Sequence, residues 1–202
     1  MKKRCLFICI EGLDASGKTT QTRRLVANLR LKGFDAVYTT EPSSGEFGSF
    51  IRSNVLQRIG RVPVVVEALL FAADRVDHVE QEIKPALQKG RVVVSDRYVF
   101  SSLAYQGAAG LDLNWIEEIN KLALQPDLAI YIDVPLGVVM KRMERMRRRQ
   151  SVMEQLDIQE KVRQVYMQLV QDGRLFPVDG NRPANVVSAD IYKMVLDKLA
   201  SS

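Results

Sequence analysis

The chain has 202 residues, a net charge of +5, 47% hydrophobic residues and 26% charged residues. That balance excludes a disordered polar chain and suffices for one hydrophobic core, and no stretch reaches the roughly 20 apolar residues of a bilayer span. Much of the basic excess lies in Lys141–Arg149, with no stripe interleaved with aromatics, so it suits a solvated helix face or small anionic substrates better than nucleic acid.

The first apolar run, Cys5–Ile10, is predicted as a buried strand. Met1-Lys2-Lys3-Arg4 precedes it in the manner of an export signal, but Glu11 and Asp14 interrupt the apolar stretch and no small-residue cleavage site follows. Cys5 and Cys9 are too far apart to bridge and are expected as buried thiols of a reducing, cytoplasmic compartment. A helix over Thr19–Leu31 ends at Gly33, and a short strand follows at Ala36–Tyr38. A long helix is predicted over Val64–Gln88, closed by Gly90, then a strand at Val92–Val94. Next come a helix at Trp115–Leu124, a strand at Leu128–Ile132, and helices at Leu136–Arg147 and Val152–Gln171. A weaker strand at Leu175–Val178 and a helix at Ala184–Leu199 complete the pattern.

Near-continuous apolar strands alternating with amphipathic helices imply an α/β fold, a five-stranded parallel sheet flanked by helices on both faces. No repeat, linker or low-complexity tract appears, so residues 1–202 are expected to form one domain.

The first strand runs into Gly12-Leu13-Asp14-Ala15-Ser16-Gly17-Lys18-Thr19 and then a helix. This is G-x-x-x-x-G-K-[ST] in its required strand–loop–helix setting, the pattern of P-loop nucleotide-binding proteins. Its glycines let backbone N–H groups converge on phosphate oxygens, and the helix N-terminus adds positive dipole. Lys18 can bridge the β- and γ-phosphates of ATP, and the Thr19 hydroxyl can ligate Mg²⁺.

A P-loop also serves switches and motors, but the guanine-reading Asn-Lys-x-Asp is missing from the sequence. Asp96-Arg97-Tyr98 instead ends the third strand, at the sheet edge where such folds bind ligands. Asp96 can hold Mg²⁺ through water, and Arg97 can grip an acceptor phosphate with its fork of donors. A structural ion pair at a strand end is the plainer alternative. Two other readings stand beside a kinase of nucleoside monophosphates: another P-loop nucleoside or nucleotide kinase, and a catalytically silent nucleotide-binding protein.

At this point the chain resembles the thymidylate kinases. The resemblance is carried by Phe7–Thr20, Glu41-Pro42, Leu70–Arg75, Asp96-Arg97-Tyr98, Ser101–Gly107 and Pro126-Asp127-Leu128, in family order over nearly the whole length. It implies phosphorylation of dTMP to dTDP by ATP, Mg²⁺ dependence and a homodimer that binds neither nucleic acid nor membrane. It assigns Gly12 to Thr20 and, through an adenine-framing loop, Arg182 to the ATP side. On the acceptor side, Phe71 would stack on thymine, Arg75 and Ser102 would hydrogen-bond it, and Tyr105 would pack on the deoxyribose beside Gln106. Asp14 would reach the 3′-hydroxyl, and Glu41-Pro42 would shape the acceptor loop.

Two departures from the family pattern change the expected roles. Thr40 stands where an arginine is common before Glu-Pro, so phosphate anchoring falls to Arg52 or Arg97. Ala15 and Ser16 leave the P-loop without an arginine, so the resemblance gives that task to a short basic lid at about 142–152. Arg145, Arg147 and Arg148 are the catalytic candidates there. His78, the single histidine, is expected to be a surface or hydrogen-bonded residue on the polar part of its helix.

Overall fold

The computed structural model describes residues 5–57, 62–145 and 152–201. Its strands are β1 (Leu6–Gly12), β2 (Ala36–Thr40), β3 (Val92–Asp96), β4 (Leu128–Asp133) and β5 (Phe176–Asp179). All pair in parallel, in the order β2-β3-β1-β4-β5. Every residue of β1 and β3 is buried, on both faces of the pleat, because helices cover both sides of the sheet. The α/β expectation is met, down to the weak fifth strand.

The helices are α1 (Lys18–Leu31), α2 (Glu46–Ile51), α3 (Val64–His78), α4 (Lys84–Gln88), α5 (Val99–Ala108), α6 (Leu113–Ile119), α7 (Leu136–Arg145), α8 (Val152–Gln171) and α9 (Ala184–Ser201). Helix α1 packs on α9 and on β1 to β3, while α5 packs on α8, α3 and β1. Parallel register brings Gly12 beside Ile132 and sets Asp96 level with both Ile10 and Thr40. The C-terminal ends of the four central and leading strands therefore converge on one edge, which holds the sites described below.

Several expectations change. Cys5 precedes β1 and is exposed; only Cys9 is a buried thiol. The predicted helix over Val64–Gln88 is interrupted by a π-helical turn at Val79–Ile83. Pro85 follows at once, and its missing N–H removes an α-helical bond that the wider turn does without. Helix α6 begins before Trp115 because the Asp112 carboxylate caps the Trp115 N–H at 2.9 Å. It stops at Asn120, whose side chain turns back to the Ile116 carbonyl.

Helices α2 and α5 were not expected. Helix α5 buries polar Ser102 and Gln106 together with Val99, Phe100, Leu103 and Ala104, so its buried face does not follow the polarity of its sequence. Helix α2 shows the reverse, exposing Phe47 and Phe50, and it continues into a π-helical turn at Arg52–Leu56.

Candidate active site

Gly12 ends β1 at φ 151°, and a Cβ there would lie 2.8 Å from Ser16 Oγ and 2.9 Å from the Ile132 carbonyl oxygen. Only glycine lets the chain leave the sheet this close to β4. Gly17 precedes α1 at φ 100° and offers no side-chain cap, and the first helical turn carries no acidic residue. The unpaired N–H groups of that turn and its dipole thus form an anion site.

Lys18 is buried, and its Nζ donates to the Leu13 carbonyl at 2.6 Å. Burial, with the Arg97 charge adding to it, brings its ammonium down to about 7, while Asp14, Asp96 and Glu11 pull the other way. Thr19 Oγ1 donates to Asp96 Oδ2 at 2.5 Å. Asp96 Oδ1 and Ser16 Oγ are buried and have no partner among the described residues.

A cavity of about 590 Å³ opens over this loop, lined by Lys18, Thr19, Thr20, Thr40, Asp96 and Arg97 among others. Arg142 and Arg145 of α7 line it too. Arg142 Nη1 reaches the carbonyls of Ala15 and Ser16 at 3.2 and 3.3 Å, which ties α7 to the P-loop.

A second cavity of about 700 Å³ lies between α3 and α5, lined by Glu67, Phe71, Arg75, Ser102, Tyr105 and Gln106 among others. Asp14, Glu41 and Arg97 line both cavities, so the two meet at those side chains. Arg97 sits at φ 74°, in the left-handed region. Its Nη2 donates to Asp14 Oδ1 at 2.6 Å and to the Tyr105 hydroxyl at 3.2 Å, and its Nη1 donates to Ser101 Oγ at 3.0 Å. The guanidinium carbon lies 4.9 Å from the Tyr105 ring centre. Burial raises the Tyr105 hydroxyl to about 12, the Arg97 charge opposing it, so the group is a neutral donor and acceptor.

The model of the family described as thymidylate kinase matches residues 10–191. The chain belongs to the thymidylate kinase family. A protein of Thermococcus onnurineus (strain NA1) described as "Probable thymidylate kinase" is 44% identical over 173 residues, which are 82% of this chain and 84% of that protein. One of the same description from Pyrococcus horikoshii is 42% identical over 204 residues, covering 97% and 98%. Another from Caldivirga maquilingensis is 36% identical over 194 residues, covering 96% and 95%.

Most residues that the resemblance to thymidylate kinases singled out come together at these two cavities, but several have duties the sequence did not show. Arg75 is fully buried. Its Nε and Nη2 donate to Glu41 Oε2 at 2.9 and 2.7 Å, Nη2 also reaches Ser102 Oγ at 3.0 Å, and Nη1 bonds Asn120 Oδ1. Glu41 is therefore an anchor for Arg75, beyond shaping a turn. His78 is buried as well, against Thr39 at 2.6 Å and Glu41 at 3.3 Å, and not on a polar face.

Thr40 donates to the Asp96 carbonyl at 3.0 Å, and Arg52 donates to the Pro42 carbonyl at 2.8 Å. Arg52 lines neither cavity, which separates it from Arg97. Leu13 is a core residue. Arg182 pairs with Asp179 and Asp190 and also lines neither cavity. Arg147 and Arg148 lie outside the described residues.

Sequence reasoning missed the carboxyl of Glu11 as part of the site. It accepts from the Tyr98 N–H at 2.8 Å, the Ser101 hydroxyl at 2.7 Å and the Tyr166 hydroxyl at 2.8 Å, joining β1, α5 and α8 beneath Arg97. Burial raises its pKa from the usual value, and the hydrogen bonds from Ser101, Tyr166 and Tyr98, with the Arg97 charge, oppose that rise. A carboxylate at the end of an apolar strand was the available signal.

The buried pairing changes what two alanine variants should do. Phe71→Ala, which removes a partly exposed ring from the acceptor cavity, should raise Kd for the acceptor nucleotide roughly tenfold or more and leave ATP binding near wild type. Arg75→Ala strands Glu41 in the interior and should cost about 3–5 kcal/mol of stability. Titration calorimetry beside thermal melts checks both; a similar melting loss for Phe71→Ala would make that ring a core element.

Proposed function

We propose that the protein transfers the γ-phosphoryl group of ATP to the phosphate of dTMP, giving dTDP and ADP. One observation carries this reading. A phosphate-binding loop and a second cavity with an aromatic wall share Asp14, Glu41 and Arg97 where they meet. A donor triphosphate on the loop and an acceptor monophosphate across that boundary would bring their phosphates together, the positioning phosphoryl transfer needs.

In the reaction an oxygen of the dTMP phosphate attacks Pγ, and the bond from Pγ to the β,γ-bridging oxygen breaks. Lys18 and the N–H groups of the P-loop hold the donor phosphates. Arg97 holds the acceptor phosphate, and Asp14 meets the 3′-hydroxyl. Phe71 stacks on the base, Arg75 and Ser102 meet its polar edge, and Tyr105 packs on the sugar. Arg145, which lines the loop cavity, and the lid arginines Arg147 and Arg148 supply positive charge to the transferring group. Arg182 stays near the adenine only by resemblance.

The unpartnered Asp96 Oδ1 beside the Thr19 hydroxyl is the hard oxygen set that suits Mg²⁺. Bound there, the ion would neutralise phosphate charge. Residues 1–202 act as one kinase domain in this reading. Among the described residues no helix is long and apolar enough to cross a membrane, and we place the enzyme in the cytoplasm. A homodimer is part of the same reading. Phe47 and Phe50 of α2, with Val65, Val66 and Leu69 of the adjoining α3, are exposed apolar side chains available to a second copy.

Coupled ADP release with dTMP, thymidine, UMP and dCMP tests the reading. Turnover should be greatest with dTMP; a preference for thymidine would make the protein a nucleoside kinase, and release with none of them a silent binder.

The buried ammonium gives a pH dependence. In the free enzyme Lys18 loses its proton through about pH 7, whereas bound phosphates hold it charged. ATP binding should therefore take up a proton above that pH, and affinity should fall by up to about tenfold per pH unit between about pH 7.5 and 9, where phosphate is already ionised. Calorimetry in buffers of different ionisation enthalpy measures the uptake, and a flat affinity profile would contradict it.

A further inference from the structure

Tyr166 lines neither cavity, yet its hydroxyl reaches the groups that hold Arg97 in place. It is fully buried on α8, with its ring stacked on that of Tyr131 in β4 at 4.9 Å and 25°. Arg163, one turn earlier on α8, grips Asp133 at the end of β4 through Nε and Nη2 at 3.1 and 2.9 Å. The phenol is thus fixed by packing on one strand, and its oxygen is delivered to the next. There it donates to Glu11 Oε2 at 2.8 Å and lies 3.1 Å from Ser101 Oγ.

The donors fix the order of this chain. A guanidinium only donates, so Ser101 Oγ must accept from Arg97 Nη1, and the single Ser101 hydroxyl proton has to point elsewhere. Glu11 Oε2 takes it at 2.7 Å. The Tyr166 proton converges on the same oxygen, while the Tyr98 and Ser101 N–H groups converge on Oε1 at 2.8 and 3.2 Å. Glu11 is fully buried, and a carboxylate at that depth depends on its donors. Without the phenol, Oε2 keeps the Ser101 hydroxyl alone, beside a gap into which that hydroxyl can turn away from Arg97.

We infer that Tyr166 is a positioning residue for phosphoryl transfer: through Glu11 and Ser101, its hydroxyl aims the Arg97 fork at the acceptor phosphate. The inference rests on the reading of Arg97 as the grip on the dTMP phosphate and adds what holds that grip.

Tyr166→Phe keeps the ring and its stacking on Tyr131 and removes only the hydroxyl. It should lower kcat/KM for dTMP roughly five- to twentyfold and weaken dTMP binding. The Kd of thymidine, which has no phosphate for Arg97 to hold, and KM for ATP should stay within about twofold. In an Arg97→Ala background the same substitution should change kcat/KM for dTMP by less than about twofold, because the residue it acts through is gone. A merely structural tyrosine would weaken thymidine and dTMP binding alike, or keep its full factor in both backgrounds. Either result overturns the inference, as does an unchanged kcat/KM for dTMP in Tyr166→Phe. If that variant melts too low to assay, Ser101→Ala cuts the chain at its middle link and must show the same pattern in the same two backgrounds. Wild-type enzyme that turns over dTMP while the pattern fails sinks the inference alone. Wild-type protein inactive on dTMP sinks the functional reading and takes the inference with it.

Discussion

Lys18→Ala should lower kcat by about 10³-fold or more while moving Tm by only a few degrees. The lysine is 6% exposed, and its Nζ donates to the Leu13 carbonyl. Burial works against the ammonium, which the neighbouring Asp14, Asp96 and Glu11 only partly restore. Alanine leaves the Leu13 carbonyl without that donor and also removes a costly buried cation, so the two effects on stability offset each other. The phosphates lose the cation that neutralises charge building up in the transition state. A variant with near wild-type kcat would show that the transferring phosphates do not sit on this loop.

Arg97→Ala should lower kcat/KM for dTMP by roughly 10²–10³-fold, with a smaller effect on KM for ATP. Arg97 lines both cavities and is held by Asp14, Ser101 and Tyr105, so its fork is already aimed before a ligand arrives. Arg97→Lys keeps the charge without the fork and should fall between alanine and wild type. Backbone strain at φ 74° supplies an internal control. Arg97→Gly relieves the left-handed conformation and should melt no lower than the alanine variant, yet be equally inactive. Equal losses for both nucleotides, tracking Tm, would make Arg97 a structural residue.

The sequence made the sheet, the P-loop and the acceptor helix legible because each follows from local rules. Apolar runs read as strands buried on both faces, Gly12 to Thr19 carries its own loop chemistry, and Phe71 and Arg75 share a helical face. What stayed hidden depends on tertiary contacts. Helix α5 buries Ser102 and Gln106 among its apolar residues, so polarity does not mark its inner face, although it carries Ser102, Tyr105 and Gln106 to the site. The ion pair that immobilises Arg75 joins residues 34 positions apart, beyond the reach of any pattern along the chain. Thr40 raised the question of the acceptor phosphate, but only the cavity lining separates Arg97 from Arg52. Glu11 read as an interruption of an apolar run, and its purpose becomes visible only when Ser101 and Tyr166 are found around it.

The central claim is that the γ-phosphoryl group of ATP passes directly to dTMP across the boundary at Asp14 and Arg97. Incubation of the purified protein with ATP labelled at the γ-phosphorus, dTMP and Mg²⁺, followed by separation of the nucleotides, measures that transfer. The account predicts label in the β-phosphate of dTDP, formed one for one with ADP, and loss of both products in Lys18→Ala. Label appearing in inorganic phosphate with no labelled dTDP would contradict it and make the protein a nucleotide hydrolase.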